Sequence, residues 1–198
     1  MAKLVVSSLS SLDGYCAGPR GQLDAMPMGA AFDRHNLELM RSADAMLFGA
    51  VTYPMFEAYW PNVDRGEGSD PVHCEIAERF GAARRLVVSD SMKVAPASLW
   101  RDTEVVRRSR ARARIGELKA QSGGRSGEGL LLFGSHVLVN DLLNDGLVDE
   151  LHLLIGNVVL GNGVRTFEAD MKASLNLLGL RRLPDSDIVA LHYDCRRA

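Results

Sequence analysis

The sequence predicts an α/β protein: a mostly parallel sheet with helices on both faces and an antiparallel C-terminal edge. Three observations predict it. Short apolar runs, KLVVSSL at 3–9, RLVVS at 85–89 and LLLF at 130–133, alternate with segments of helical spacing. Two runs, MLF at 46–48 and LLLF at 130–133, end on a glycine where a helix can start at once. The last two apolar stretches, 175–183 and 188–196, have no helix between them. There Pro184-Asp185 supplies a turn, and Ile188, Ala190 and His192 alternate against Val189, Leu191 and Tyr193.

Taken in order, Lys3 to Leu9 reads as a buried strand. Asp13-Gly14 and Gly18-Pro19-Arg20-Gly21 open a loop that runs to about Gly29, long for an idle connection. Phe32, Asn36, Leu39 and Met40 share a helix face, with Asp33, Arg34, Glu38 and Arg41 outside it. Ala45 to Phe48 is a short buried strand, and Thr52 to Tyr59 a helix ended by Trp60-Pro61. Residues 62–71, NVDRGEGSDP, are loop by composition. Asp70 as N-cap and Pro71 at the first position start a helix to about Phe80, stopped at Gly81. Strands follow at Arg85–Ser89 and Thr103–Val106. Ser109 caps a helix through about Gln121, ended by Ser122-Gly123-Gly124. After Leu130–Phe133, Ser135 caps the helix HVLVNDLLND, closed by Gly146. Leu151 to Leu160 reads as one long strand and Gly161-Asn162-Gly163 as a turn. With no internal repeat and no dividing linker, one domain over 1–198 is expected.

Composition narrows the function. The chain is 46% hydrophobic and 24% charged with a net charge of −2, which gives no global pull toward nucleic acid or anionic membrane. No apolar run approaches the ~20 residues of a membrane span. MAKLVVSSLSSLDG breaks into serines before a signal-peptide core is complete, so a cytoplasmic protein is expected. Cys16, Cys74 and Cys195 are widely spaced and form no C-x-x-C, which points to free thiols. The run Arg107, Arg108, Arg110, Arg112 and Arg114 has no interleaved aromatics and reads as a solvated helix face. His35, His73, His136, His152 and His192 show no metal-ligand spacing, so no metal is expected.

The two strand–glycine–helix junctions, LFG-AVT at 47–52 and LLFG-SHV at 131–137, carry the chemistry. A helix N-terminus offers free N–H groups and a partial positive charge, and glycine lets another group approach the backbone. Two such junctions at strand ends make paired anion sites, suited to a dinucleotide; they are equally compatible with ordinary tight turns, since no G-x-G-x-x-G is present.

The stretches VSSLSSLDG (6–14), ADAMLFGAVTY (43–53), RLVVSDS (85–91), LLLFGSHVLVNDLLNDGLVDELHL (130–153) and NVVLGNGVRTF (157–167) resemble, in that order, one family. It is the dihydrofolate reductase-like family that includes the reductase domain of the bifunctional riboflavin-biosynthesis deaminase/reductase. The zinc-deaminase signature of the partner domain is missing, so the resemblance is to a stand-alone reductase domain. It implies a three-layer α/β/α sandwich, NADPH as cofactor, a small heterocyclic substrate and a homodimer.

It places the nicotinamide near Asp13, Gly14 and the 15–29 loop, and ribose and pyrophosphate on Gly49, Val51 and Thr52. The adenosine end falls at Ser89, and the far side of the pyrophosphate on Gly134, Ser135, His136 and Val137. Asp33 falls where relatives carry the acid that anchors substrate and assists its protonation; as a bare residue it reads more simply as a first-turn carboxylate favouring the helix dipole. Asp13 either faces substrate or forms an Asx turn with Gly14. Trp60 either lines the substrate cleft or fills the core. Met26 and Met28 either close over a planar ligand or fill a gap.

One position departs from the family: Ala50 stands where relatives carry the arginine that pairs with the NADPH 2′-phosphate. Arg84 or Arg85 is then expected to substitute, or NADH to be accepted, or the fold to persist as a non-catalytic nucleotide- or heterocycle-binding module. Asn157, where relatives often have proline, affects a local strand kink.

Overall fold

The structure is a computed structural model and describes residues 2–121 and 129–196. Its frame is an eight-stranded sheet in the order β5-β4-β3-β6-β1-β7-β10-β9. The strands are β1 (Leu4–Ser10), β3 (Ala43–Gly49), β4 (Arg84–Val88), β5 (Glu104–Val106), β6 (Gly129–Phe133), β7 (Glu150–Ile155), β9 (Asn176–Arg182) and β10 (Val189–Asp194). All pairs from β5 to β7 are parallel, and β10 runs antiparallel to both β7 and β9. The expected mixed sheet with an antiparallel C-terminal edge is therefore present.

Side-chain alternation along the strands builds the three layers. Leu47, Leu86, Leu130 and Leu132 face a core shared with helices α4 (Arg108–Gln121) and α5 (His136–Asn144). Their neighbours Met46, Phe48, Val87, Leu131 and Phe133 face the opposite core, shared with α1 (Ala30–Met40), α2 (Thr52–Tyr59) and α3 (Pro71–Ala82). Both faces are buried, which is why these strands read as unbroken apolar runs. Phe48 sits at the centre of an aromatic cluster with Tyr53, Phe56, Phe80 and Trp100, at ring separations of 5.4–6.0 Å. Such pairs add to the stabilisation that area burial alone provides.

The sequence is corrected at four elements. Leu151–Leu160 is not one strand: β7 ends at Ile155, and the next residue, Gly156, lies against Pro27 of the 15–29 loop, where a Cβ would come 2.7 Å from Pro27 Cγ. That loop is not wholly irregular: β2 (Tyr15–Ala17) pairs antiparallel with β8 (Val164–Arg165). Helix α4 starts at Arg108, whose N–H donates to Asp90 Oδ1 rather than leaving the cap to Ser109; its expected end at 122–124 lies outside the described residues. Ser135 makes no side-chain cap bond to α5. By contrast Asp70 caps α3 as expected, accepting from Val72 N–H at 2.8 Å.

Candidate active site

The carboxyl ends of β1, β3 and β6 open on a cavity of about 440 Å³. Ligands of open α/β sheets bind at this end of the strands. Its walls come from β1 (Ser7, Ser8), α1 (Phe32, Asp33, Asn36), Val51 at the N-cap of α2, α2 itself (Thr52, Met55), Trp60, and the Phe133–His136 turn. The β2/β8 strand pair closes one side through Cys16, Ala17 and Val164. Among these lining residues Asp33 is the sole acid.

The two glycine junctions touch each other. Thr52 Oγ1 and Ser135 Oγ lie 3.1 Å apart. A Cβ on Gly49 would come within 1.9 Å of Ser135 Oγ and 2.9 Å of Ser135 Cβ. The close neighbour that requires glycine at 49 is thus the other junction's serine. Gly134 and Ser135 both take left-handed backbone, with φ of 53° and 56°. This conformation is costly for a non-glycine residue and concentrates at functional sites. It turns the chain so that Ser135 Oγ meets Thr52 and leaves the first N–H groups of α5 without a side-chain acceptor. Helix α2 likewise begins without a side-chain cap. Two helix N-termini therefore bring open donors and positive dipole ends to one cleft.

Asp33 lies on the first turn of α1 and reaches across to α3. Its Oδ2 is 3.1 Å from His73 Nε2, and His73 Nδ1 is 3.2 Å from the Tyr59 hydroxyl. Burial pushes the Asp33 carboxyl above the usual carboxylate range, against the opposing hydrogen bond and charge of His73. Trp60 stands beside this chain of groups, 5.7 Å from the His73 ring. It both lines the cavity and packs on Phe80.

The cleft brings together Asp33, Trp60, Val51, Thr52, Gly134, Ser135 and His136 from the sequence expectations. It does not include Asp13, Gly14, Gly49, Ser89 or Val137 among its lining residues. Asp13 pins the 158–163 loop, accepting from Leu160 N–H at 3.1 Å and Gly161 N–H at 2.7 Å. Gly14 carbonyl accepts from Thr166 N–H. Ser89 is buried and its Oγ accepts from Met92 N–H at 3.0 Å, closing a turn. Met28 lines the cleft, whereas Met26 is core.

Neither expected substitute for the missing arginine reaches the strand ends. Arg85 is 4% exposed, and its guanidinium donates to the Phe80, Gly81 and Ala83 carbonyls at the end of α3 and to Asp102. Arg84 begins β4, at the end of the sheet away from the cleft.

Sequence reading missed three contributors. His73 is hidden by its neighbours in VHCE; only its position one turn after the Asp70 cap, on a helix packed against α1, marks it. Ser7 and Asn36 join β1 to α1, Ser7 Oγ donating to Asn36 Oδ1 at 2.6 Å. Their signal was a run of serines in an otherwise apolar strand; Ser7, Ser8, Ser10 and Ser11 are all buried.

Sheet order, layers and cleft define an α/β protein of the dihydrofolate reductase-like type, with its cleft at the carboxyl ends of the parallel strands. The chain belongs to the RibD C-terminal domain family, whose model matches residues 2–189. That membership makes it a reductase-like domain.

It is 24% identical over 177 residues to the uncharacterized protein YyaP of Bacillus subtilis strain 168, covering 88% of this chain and 85% of that protein. Among solved structures, a putative riboflavin biosynthesis protein from Shewanella sp. PV-4 superposes with a TM-score of 0.70 at 23% identity, covering 100% of both chains. A pyrimidine reductase-like protein from Corynebacterium diphtheriae gives 0.67 at 19% identity, covering 100% of this chain and 93% of that one. RibD of Acinetobacter baumannii gives 0.69 at 18% identity, with 98% of this chain spanning 58% of that one.

Proposed function

We propose that the chain is an NAD(P)H-dependent reductase that delivers hydride to a small heterocyclic substrate of the pterin, pyrimidine or flavin-precursor kind. The observation that carries this reading is the meeting of two uncapped helix N-termini, through Thr52 and Ser135, in a cleft whose other wall holds one partly buried acid.

The residues present fit a dinucleotide. Backbone N–H groups at the starts of α2 and α5 suit a pyrophosphate, and the left-handed Gly134-Ser135 turn exposes them. Trp60, Phe32 and Met55 give flat apolar walls for a ring. A nicotinamide held there would supply the hydride. Asp33 supplies the accompanying proton to the substrate, because its raised pKa keeps the carboxyl protonated at higher pH than a free aspartate. His73 holds Asp33 Oδ2 and fixes its orientation. Val51, Thr52, Gly134, Ser135, His136 and Val137 bind cofactor in this reading, and Trp60 binds substrate. Asp13 and Gly14 act by fixing the 158–166 segment. NADPH is the family's cofactor; NADH stands beside it because Ala50 carries no guanidinium and Arg85 is engaged by α3. One domain works as a homodimer through the C-terminal edge of its sheet.

Titration of the purified chain with NADPH and NADH tests the reading, followed by turnover over a panel of dihydropterins, pyrimidinones and flavin precursors. Quenching of tryptophan fluorescence and reduction of a panel member are expected. Binding without any reduction would leave the non-catalytic module that Ala50 keeps open. No change in fluorescence or melting temperature with either cofactor, up to millimolar, would end the reductase reading.

A further inference from the structure

Beside the cleft, and unused by it, the same sheet face carries a second polar centre. Glu150 and His152 are two residues apart on β7 and so point to one face, the side of α1. His192 on β10 lies directly opposite His152 in the antiparallel register. The two imidazoles stack with centroids 4.1 Å apart and planes 20° from parallel. His192 Nε2 is 2.9 Å from Glu150 Oε2. One ligand-type atom from each of the three residues lies within 4.8 Å of the other two.

A fourth residue is an independent sign. His35 of α1 is 3% exposed, its ring centroid 5.3 Å from that of His152. Arg181 donates to its Nδ1 at 3.0 Å, which places the ring proton on Nε2. That Nε2 is buried and has no hydrogen-bond partner among the described residues. A buried donor without an acceptor is destabilising unless something outside the chain supplies one.

The chemistry of the group suits an ion. A neutral imidazole is a metal ligand. Glu150 adds a carboxylate beside the rings. Lys3 takes Oε1, which leaves Oε2 on the histidine side.

We propose that Glu150, His152 and His192 bind a divalent transition-metal ion of the zinc kind, which clips the antiparallel edge of the sheet to its parallel part. Two imidazole nitrogens and one carboxylate oxygen form a donor set that zinc takes, with ligand bonds of about 2.0–2.2 Å. Three protein ligands leave one position for water, whose oxygen can accept the His35 Nε2 proton. The His192 side chain is 33% exposed and gives the ion a way in. Lys3 and Arg181 oppose the ion's charge and hold its affinity below that of a zinc-finger site. The site adjoins the cleft, since Ser7 and His152 are register partners of β1 and β7.

The test uses the untagged full chain, stripped with chelator and titrated calorimetrically with zinc chloride. One equivalent per chain and a raised melting temperature are expected. Cobalt(II) in place of zinc should show ligand-field bands of nitrogen and oxygen ligation, with no thiolate charge-transfer band from Cys16, Cys74 or Cys195. His192→Asn and Glu150→Gln should each weaken binding about tenfold or more, with the cofactor titration of His192→Asn unchanged. No stoichiometric uptake, uptake unaltered in both variants, or a thiolate band would overturn the proposal. Should the variants not fold, anomalous diffraction from zinc-soaked wild-type crystals decides: a peak among the three side chains supports it, and a peak elsewhere or none overturns it.

Discussion

Asp33 concentrates the conflict between folding and function in one side chain. Burial raises its pKa, so the folded state holds this proton more tightly than the unfolded chain does. Its contribution is therefore most favourable below the unfolded pKa near 3.8 and is lost as pH rises through the folded value. Asp33→Asn removes the charge that burial opposes and should raise the melting temperature at pH 7 while lowering turnover by roughly 10²–10⁴-fold. Cofactor affinity should stay near wild type, because Asp33 stands on the substrate side. A variant that turns over normally would remove Asp33 from catalysis. His73 permits a finer test. Its hydrogen bond and charge both lower the Asp33 pKa, so His73→Ala should move it further up. If a protonated Asp33 delivers the proton, activity falls as pH rises through that pKa. The alkaline fall of the rate profile should then shift to higher pH in the variant. A shift to lower pH would contradict the assignment.

The junctions show how elements become a site. Gly49 and Ser135 are 86 positions apart in the chain, yet one side chain occupies the space that the other lacks. Gly49→Ala should cost about 1–3 kcal/mol by overpacking and weaken cofactor binding, since Ser135 must swing away from Thr52. Adding Ser135→Gly removes the obstructing atoms and should recover much of the stability. Urea denaturation of the four members of the cycle measures the coupling; additive effects would show that the contact carries nothing. The central elements were legible because β3, β4 and β6 are buried on both faces, and the C-terminal pair because Pro184-Asp185 marks the turn between β9 and β10. Strands β2 and β8 were not, being three and two residues long with no periodicity to read. β7 ends beside the packing of Pro27 on Gly156, a tertiary contact that local sequence does not encode. Each junction was legible by itself, but their contact was not. The Asp33–His73 pair and the Glu150–His152–His192 group were hidden for the same reason: neighbouring helices or strands, and no spacing rule, unite them.

At the scale of the whole molecule, the C-terminal edge is the unfinished part. Strand β9 hydrogen-bonds to β10 on one side only and closes the sheet. It exposes Leu177, Leu178 and Leu180 at 52%, 54% and 66%. Exposed apolar edge strands invite pairing, and proteins that stay monomeric blunt them with charge or proline. Here Arg181 and Arg182 come only at the strand's end, and Arg181 turns back to His35 and Glu38. A second copy of the chain matches such an edge, because a two-fold axis sets the same leucines against each other. Leu178→Lys with Leu180→Lys puts like charges across that axis. Sedimentation equilibrium should find the wild type as a dimer and the double variant as a monomer that still binds cofactor, since the cleft lies at the strand ends of β1, β3 and β6. A wild-type monomer at the concentrations used for turnover would sink the dimer, and a variant that remains dimeric would move the interface off β9.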